Sequence, residues 1–136
     1  MKLRRTSFRL VEDELYSYHD TKKEIESIRS DILHRTPHVD NPEASRSGTS
    51  DPTGQMVTAL IMNRRLIYLE RIVNSIEQVY ESLPEEKQRL IKLKYWVKPQ
   101  TKTWEGIAQE LNISRRQALR WRDDIIHLIA DLIGLR

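Results

Sequence analysis

The fold of this chain is decided by one stretch, Trp104-Glu105-Gly106-Ile107-Ala108-Gln109-Glu110-Leu111-Asn112-Ile113-Ser114-Arg115-Arg116-Gln117-Ala118-Leu119-Arg120-Trp121. Ala108 is small enough for two helix axes to approach each other, and Asn112 tolerates the left-handed backbone of a tight turn. Ser114 and Gln117 form a Ser-x-x-Gln capping box at the start of a second helix. Apolar side chains fill the space between the two helices: Ile107, Leu111, Ile113, Ala118 and Trp121. The stretch therefore predicts a helix-turn-helix, a motif with which many proteins bind DNA.

The second helix of this motif begins with side chains that read nucleic acid. The guanidinium of arginine donates two hydrogen bonds to a guanine edge or to a phosphate, and glutamine pairs with adenine. Exposed arginines often only keep a helix soluble, but here three of them coincide with the docking end of a recognition helix. We therefore predict base contacts from Arg115, Arg116, Gln117 and Arg120.

Positive charge is concentrated around this motif. The whole chain has a formal net charge of +3, yet the segment from Lys87 to Arg122 contains ten basic residues against two acidic ones. Such a surface suits a polyanion, because phosphate contacts dominate the affinity of proteins for DNA. A solvated basic face is the alternative explanation. The side chains predicted to hold phosphates are Lys92, Lys94, Lys98, Lys102, Thr103, Ser114 and Arg122.

Length and composition limit the other possibilities. A chain of 136 residues has room for one domain, or for a small domain with an extended element, and leaves little for a large catalytic architecture. It contains no cysteine, which excludes disulfides and thiolate metal sites. No apolar run reaches the length of a membrane span, and Met1-Lys2-Leu3-Arg4-Arg5 lacks the apolar core of a signal peptide. We expect a cytoplasmic protein without a cofactor or a small-molecule substrate.

The N-terminal segment 1–36 is predicted to be one long amphipathic helix, because its apolar side chains recur in steps of three and four residues up to the stop at Pro37. Residues 37–54 are rich in proline, glycine, serine, threonine and asparagine, with Val39 and Ala44 almost the only apolar side chains. This composition predicts a flexible linker. A functional loop that a partner orders is the alternative.

A second long helix is predicted over residues 55–82, and it carries two apolar stripes. One passes through Met62, Leu69, Ile72, Ile76, Val79 and Leu83, and the other passes through Val57, Leu60, Ile61 and Ile67 and faces elsewhere. A helix of this length, roughly 40 Å, cannot bury two faces against so small a domain. We predict that the first helix folds back on it and that the same helices of another copy pack there, which gives a homodimer or higher oligomer. A monomeric helical hairpin is the competing arrangement. The predicted oligomer contacts are Val11, Leu15, Ile25, Ile32, Leu69, Ile72, Ile76 and Val79.

Residues 83–136 are predicted to form the DNA-binding domain. Pro84 suits a first helical turn, and the two acids that follow it suit the positive end of a helix. Thr103 can cap the helix before the turn, and the chain stays helical after the motif until Gly134. The predicted fold is all-α: two long N-terminal helices in a hairpin or coiled coil, a linker and a helix-turn-helix domain.

From Leu83 onward the chain resembles region 4 of bacterial sigma factors. The resemblance rests on an ordered set of segments: Leu83-Pro84-Glu85-Glu86, Arg89-Leu90-Ile91, Leu93-Lys94-Tyr95, a variable loop, Ile107-Ala108-Gln109-Glu110-Leu111 and Ile113-Ser114-Arg115-Arg116-Gln117-Ala118. With its Val11-Glu12-Asp13-Glu14-Leu15, a serine-rich linker and a long middle helix, the whole chain also resembles phage-encoded late transcription regulators of the RinA and ArpU type.

The resemblance implies an activator of phage or prophage genes such as those for packaging and lysis. In sigma region 4 the positions of Arg115, Arg116 and Arg120 read the promoter element. Arg116 stands where primary sigma factors commonly have an acid, so a different base preference is implied, and Asn112 stands where a turn glycine is usual. The sigma regions that melt the promoter and clamp the polymerase have no counterpart in this chain, which makes an ordinary sigma factor improbable.

Two other functions stay open at this point. An adaptor that binds RNA polymerase and has weak affinity for DNA would use the same region 4-like face, and an RNA-binding antiterminator would use the same basic helix. An enzyme is the least expected class, because no acid, base and nucleophile set can be assembled from these residues.

The remaining chemistry-bearing residues predict no site. His34 and His38 have the spacing of two ligands on one helix face, but Pro37 breaks that face and no third firm ligand follows, so we expect no metal site. The chain has three tryptophans, which are predicted to be core anchors: Trp96, Trp104 and Trp121.

Overall fold

The protein is described by a computed structural model that covers residues 2–34 and 52–136. These residues form six α-helices and no strand, which confirms the predicted all-α class for the described part of the chain. The helices are α1 (Arg5–Tyr16), α2 (Tyr18–His34), α3 (Pro52–Ser82), α4 (Glu85–Ile91), α5 (Trp104–Glu110) and α6 (Arg115–Ile133). A π-helical segment, Lys92–Trp96, continues directly from α4.

The N-terminal segment consists of two helices and not of the single helix predicted for residues 1–36. Ser17 separates α1 from α2, and serine weakens a helix because its side chain competes for backbone partners. The tyrosines on either side of Ser17 pack on consecutive aromatic rings: Tyr16 meets Tyr95 edge-on, and Tyr18 stacks on Trp96, each at 4.7 Å between ring centroids. The break thus lets both helices contact the π-helical segment.

Helices α2 and α3 form an antiparallel pair. Lys22 lies 3.7 Å from Glu77 and Arg29 lies 2.9 Å from Glu70, which is the order expected for antiparallel helices. A third ion pair joins Glu24 to Arg65 at 2.9 Å. These ion pairs are solvent-exposed and contribute little to stability. Between the helices, apolar burial supplies the free energy, from Ile25, Leu69, Ile72, Val73 and Ile76. Helix α2 therefore folds back on α3.

The core corrects the predicted oligomer contacts. Val11 and Leu15 have no exposed surface, and five further members of that set are at most 5 % exposed, namely Ile25, Leu69, Ile72, Ile76 and Val79. They belong to the same cluster as the C-terminal helices, and Ile32 alone is half-buried. Side chains enclosed by their own chain cannot contact a second copy. The stripe that was assigned to an oligomer is the intramolecular core.

The C-terminal helices share this core with the N-terminal ones. Both α1 and α3 pack on α6, whose inner face consists of Ile125, Ile126, Ile129 and Ala130. Gly134 ends α6 in the left-handed conformation, φ 93°, which glycine adopts without a steric penalty. Just beyond it, the main-chain oxygen of Arg136 accepts a 2.6 Å hydrogen bond from the Ser7 hydroxyl. Residues 83–136 therefore do not have a core of their own.

A hydrogen bond anchors α1 to the π-helical segment. The hydroxyl of Tyr95, whose residue is 1 % exposed, donates to the Glu12 carboxylate at 2.8 Å. Burial, and then the Glu12 charge and hydrogen bond, raise the pKa of Tyr95 well above its ordinary value of 10. Burial is also the largest factor that raises the pKa of Tyr18, to about 12. Folding therefore holds the protons of these tyrosines more tightly than the unfolded chain does.

This difference predicts a loss of stability at high pH. A pKa raised by folding contributes stability that is fully present below the unfolded value, near 10, and is lost as the pH rises towards the folded value. We expect the free energy of unfolding, measured with urea, to fall above pH 10 by up to about 1.4 kcal/mol per pH unit for each such tyrosine. Tyr95→Phe should cost about 1 kcal/mol at pH 7 and make this fall shallower. Tyr68→Phe, at an exposed position, is the control; an equal slope in Tyr95→Phe would contradict the explanation.

Candidate nucleic-acid interface

Helices α5 and α6 are joined by a short turn that the sequence encodes residue by residue. Asn112 has φ 57°, which confirms the predicted left-handed position. The Ile113 amide donates to the Ala108 carbonyl at 3.0 Å and closes the turn. Ile107 and Ala118 are fully buried where the two helices meet, and Ala108 is 3 % exposed. The turn therefore fixes the direction in which α6 leaves α5.

Both helices of this pair begin with the predicted caps. The Thr103 hydroxyl accepts a hydrogen bond from the Gly106 amide at 3.1 Å, and the Ser114 hydroxyl accepts one from the Gln117 amide at 3.0 Å. No acidic residue lies in the first turn of α6. Its positive helix end is therefore not neutralised locally, which suits it to an anion.

Three arginines lie in the first two turns of α6. Arg115, Arg116 and Arg120 are exposed, and none of their side chains has a hydrogen bond, an ion pair or a ring contact with another described residue. At 3.6 residues per turn they share an arc of roughly 140°, on the side away from buried Ala118. Gln117 is half-buried beside them. The structure therefore brings the predicted base-reading residues together at one end of α6.

The lysines predicted to hold phosphates are in a different situation. Lys98 pairs with Asp20 at 3.2 Å, and Lys102 pairs with Glu110. Lys94 donates to the Lys102 carbonyl at 3.4 Å and lies 5.2 Å from the Trp104 ring. Exposed pairs of this kind are weak, so a phosphate can displace the acid. We infer that these lysines contribute less per charge than the arginines of α6.

Arg122 is half-buried and contacts two aromatic rings. Its guanidinium lies 5.1 Å from the Phe8 ring and 5.4 Å from the Trp104 ring, and it pairs with Asp123 at 2.9 Å. Its side chain is 23 % exposed. The contacts join α1 and α5 to α6 through cation–π interactions. The predicted phosphate contact of Arg122 stays a prediction, and a phosphate there would compete with these internal partners for the guanidinium.

A second group of exposed cations lies on and before α1, whose start contacts the C-terminal end of α6 and not the end that carries the arginines. Lys2, Arg4, Arg5 and Arg9 are all exposed, and α1 packs on α6. The sequence alone shows this group of positive charges, since residues 2–11 contain these four cations and no acid. What the sequence does not show is that α1 folds against the helix that carries Arg115 to Arg120.

The described residues offer little for other kinds of site. No group of three or more histidines, aspartates and glutamates in these ranges could hold a metal; His38 and Asp40 lie outside them. A shallow cleft of about 370 Å³ between the start of α1 and the end of α6 has mixed, open walls that include Lys2, His127 and Asp131. Such walls do not enclose a small molecule as ligand sites do. The three tryptophans are half-buried and pack against the core.

No helix in the described ranges is long and apolar enough to cross a membrane.

A family model described as "Protein of unknown function (DUF722)" matches residues 2–131. No curated protein and no solved structure is significantly similar to the chain.

Proposed function

The chain belongs to the DUF722 family, whose function is unknown, and from the geometry of its own residues we propose that it is a sequence-specific DNA-binding transcription activator. One observation carries the proposal: three exposed arginines without described partners occupy the start of a helix whose first turn contains no acid. A folded protein gains nothing from gathering like charges at a helix end that is already positive. A polyanion that docks there removes this repulsion.

We propose that α5, the turn and α6 act as a helix-turn-helix. The N-terminal turns of α6 would enter the major groove, where Arg115, Arg116 and Arg120 reach base edges. The neighbouring lysines would contact the phosphates on either side. Because the C-terminal half of α6 is buried in the core, the reading end is presented rigidly and little ordering entropy is lost on binding.

The resemblance to sigma region 4 and to phage late regulators supports activation of phage or prophage genes in this proposal. Activation would follow from binding upstream of a promoter and contacting RNA polymerase. No catalytic step belongs to the proposal. The partner that it requires is double-stranded DNA.

The proposal is tested by selecting bound fragments from sheared host and phage DNA at about 150 mM salt, where non-specific phosphate binding is weakened, and then sequencing them. We expect one enriched site. Binding without enrichment that vanishes as the salt rises would reject sequence-specific recognition and favour the polymerase-binding adaptor. Stronger competition by structured RNA than by duplex DNA would favour the antiterminator.

Ser114 provides a variant that separates stability from binding. Ser114→Ala removes the cap of α6 and should cost about 1 kcal/mol of unfolding free energy. Ser114→Asp keeps a capping oxygen, so its stability should stay close to that of the wild type, while its added negative charge beside the proposed phosphate path should weaken DNA binding about tenfold. Thermal unfolding and titration with the selected DNA measure the two effects. Unchanged affinity in Ser114→Asp would place the DNA away from the start of α6.

A further inference from the structure

The N-terminal half of α3 carries an apolar face that the described chain does not cover. Its members are between 51 % and 73 % exposed: Met56, Val57, Leu60, Ile61 and Ile67. Every residue from Gln55 to Ile61 is exposed, so this part of the helix extends beyond the hairpin partner α2. The face contains the second apolar stripe of the sequence, through Val57, Leu60, Ile61 and Ile67.

Such a face is costly to leave in water. Five large apolar side chains with this exposure present on the order of 500 Å², which is near the upper end for monomeric proteins. The segment also contains weak helix formers, among them Thr53, Gly54, Val57 and Thr58. A helix that makes no tertiary contacts is marginal in water even with strong helix formers. The helix over residues 53–61 therefore needs a partner that covers it.

The residues that precede this helix have a composition that does not match such a face. Residues 35–51 contain only Val39 and Ala44 as apolar side chains apart from two prolines. Two small side chains cannot bury five large ones. An acidic partner also fits poorly, because residues 52–69 have two cations, Arg64 and Arg65, and Arg65 already pairs with Glu24 at 2.9 Å.

We propose that this face of α3 is a homodimer interface in which a second copy of the chain covers it. A second copy is available at equal stoichiometry wherever the protein is made, and it presents the same apolar stripe. Two faces of this kind would bury about 1,000 Å² together, the lower limit for a specific interface. The proposal concerns the free protein and does not depend on DNA binding.

The position of Arg64 selects an antiparallel pairing. Arg64 lies near the middle of the stripe, between Ile61 and Ile67, and is exposed. Two parallel helices in register would place the two Arg64 side chains against each other. In an antiparallel pair centred near Met62, Arg64 lies against Leu60 of the partner subunit, where its aliphatic stem packs and its charge reaches water. The same register places Val57 close to Ile67 of the partner subunit.

The molar mass in solution tests the interface. We expect a dimer in sedimentation equilibrium at about 10 µM, and we expect Leu60→Glu to raise the dissociation constant at least about 100-fold, since a two-fold axis buries the charge twice. Leu128→Glu is the matched control, because Leu128 is also a half-exposed leucine, on α6. A monomeric wild type, or a Leu60→Glu protein that stays dimeric, would overturn the proposal.

The absence of native cysteine makes the orientation testable by cross-linking. A mixture of Val57→Cys and Ile67→Cys proteins should form mixed disulfide dimers on mild oxidation, because this bond needs Cα atoms about 4.4 to 6.8 Å apart. Val57→Cys alone should not cross-link. The reverse result would overturn the antiparallel pairing, and failure of both reactions in a dimeric protein would place the interface elsewhere.

Discussion

Replacement of Arg115, Arg116 and Arg120 together by alanine is expected to lower the affinity for the selected DNA site about 100-fold or more. Each arginine that reads a base or holds a phosphate contributes about 1 to 3 kcal/mol, and a loss of 1.4 kcal/mol is tenfold in affinity. The folded protein should hardly change, because these side chains have no partner among the described residues. Fluorescence anisotropy with labelled DNA measures the affinity, and thermal unfolding checks the fold.

The individual variants divide this effect between base and phosphate contacts. Arg120→Ala should relax the preference at one base position if Arg120 reads a base, and it should weaken all sequences equally if it holds a phosphate. Lys23→Ala removes an exposed charge from α2 and is the control for net charge alone. If the triple variant bound DNA as tightly as the wild type, the arginines of α6 would not be part of the DNA interface. Polymerase binding that survives in a triple variant without DNA affinity would support the adaptor.

Leu15→Ala is expected to lower the free energy of unfolding by about 2 to 5 kcal/mol. Leu15 has no exposed surface and belongs to the cluster that joins α1, α3 and α6, so its truncation leaves a cavity there. The difference from the wild type should be the same at about 1 µM and at about 100 µM protein, since an intramolecular contact does not depend on concentration. Urea denaturation at the two concentrations measures it.

Leu10→Ala on the same helix is the control for this prediction. Leu10 is 38 % exposed, so its truncation should cost much less. If the deficit of Leu15→Ala disappeared at the higher protein concentration, Leu15 would lie between subunits and the burial within one chain would not describe the protein in solution.

Local features of this fold were predictable because they depend on neighbouring residues. The caps at Thr103 and Ser114 and the left-handed Asn112 each follow from the chemistry of one side chain and the backbone next to it. Apolar spacing likewise predicts a helix and the face that it buries. These features account for the α5–α6 pair and for the group of arginines at the start of α6.

What packs against a buried face was not predictable, because periodicity is the same for any partner. The stripe through Leu69, Ile72 and Ile76 was assigned to a second copy, and it packs inside the chain. The break at Ser17 places Tyr16 and Tyr18 against Tyr95 and Trp96, which lie far away in sequence. Arg122 likewise lies against the Phe8 ring. The packing of the α3 stripe, the surroundings of Ser17 and the contacts of Arg122 all involve residues that are distant in sequence.

The hydrogen bond between Ser7 and Arg136 brings the two described ends of the fold together. The start of α1 and the end of α6 therefore lie side by side. A circularly permuted chain, with a short bridge from Arg136 to Lys2 and new ends between residues 35 and 51, would keep each described helix and each helix contact. In that chain α3 would come first and α2 last. The order in which the helices follow one another along the chain can thus change while the packing that exposes the three arginines of α6 stays the same.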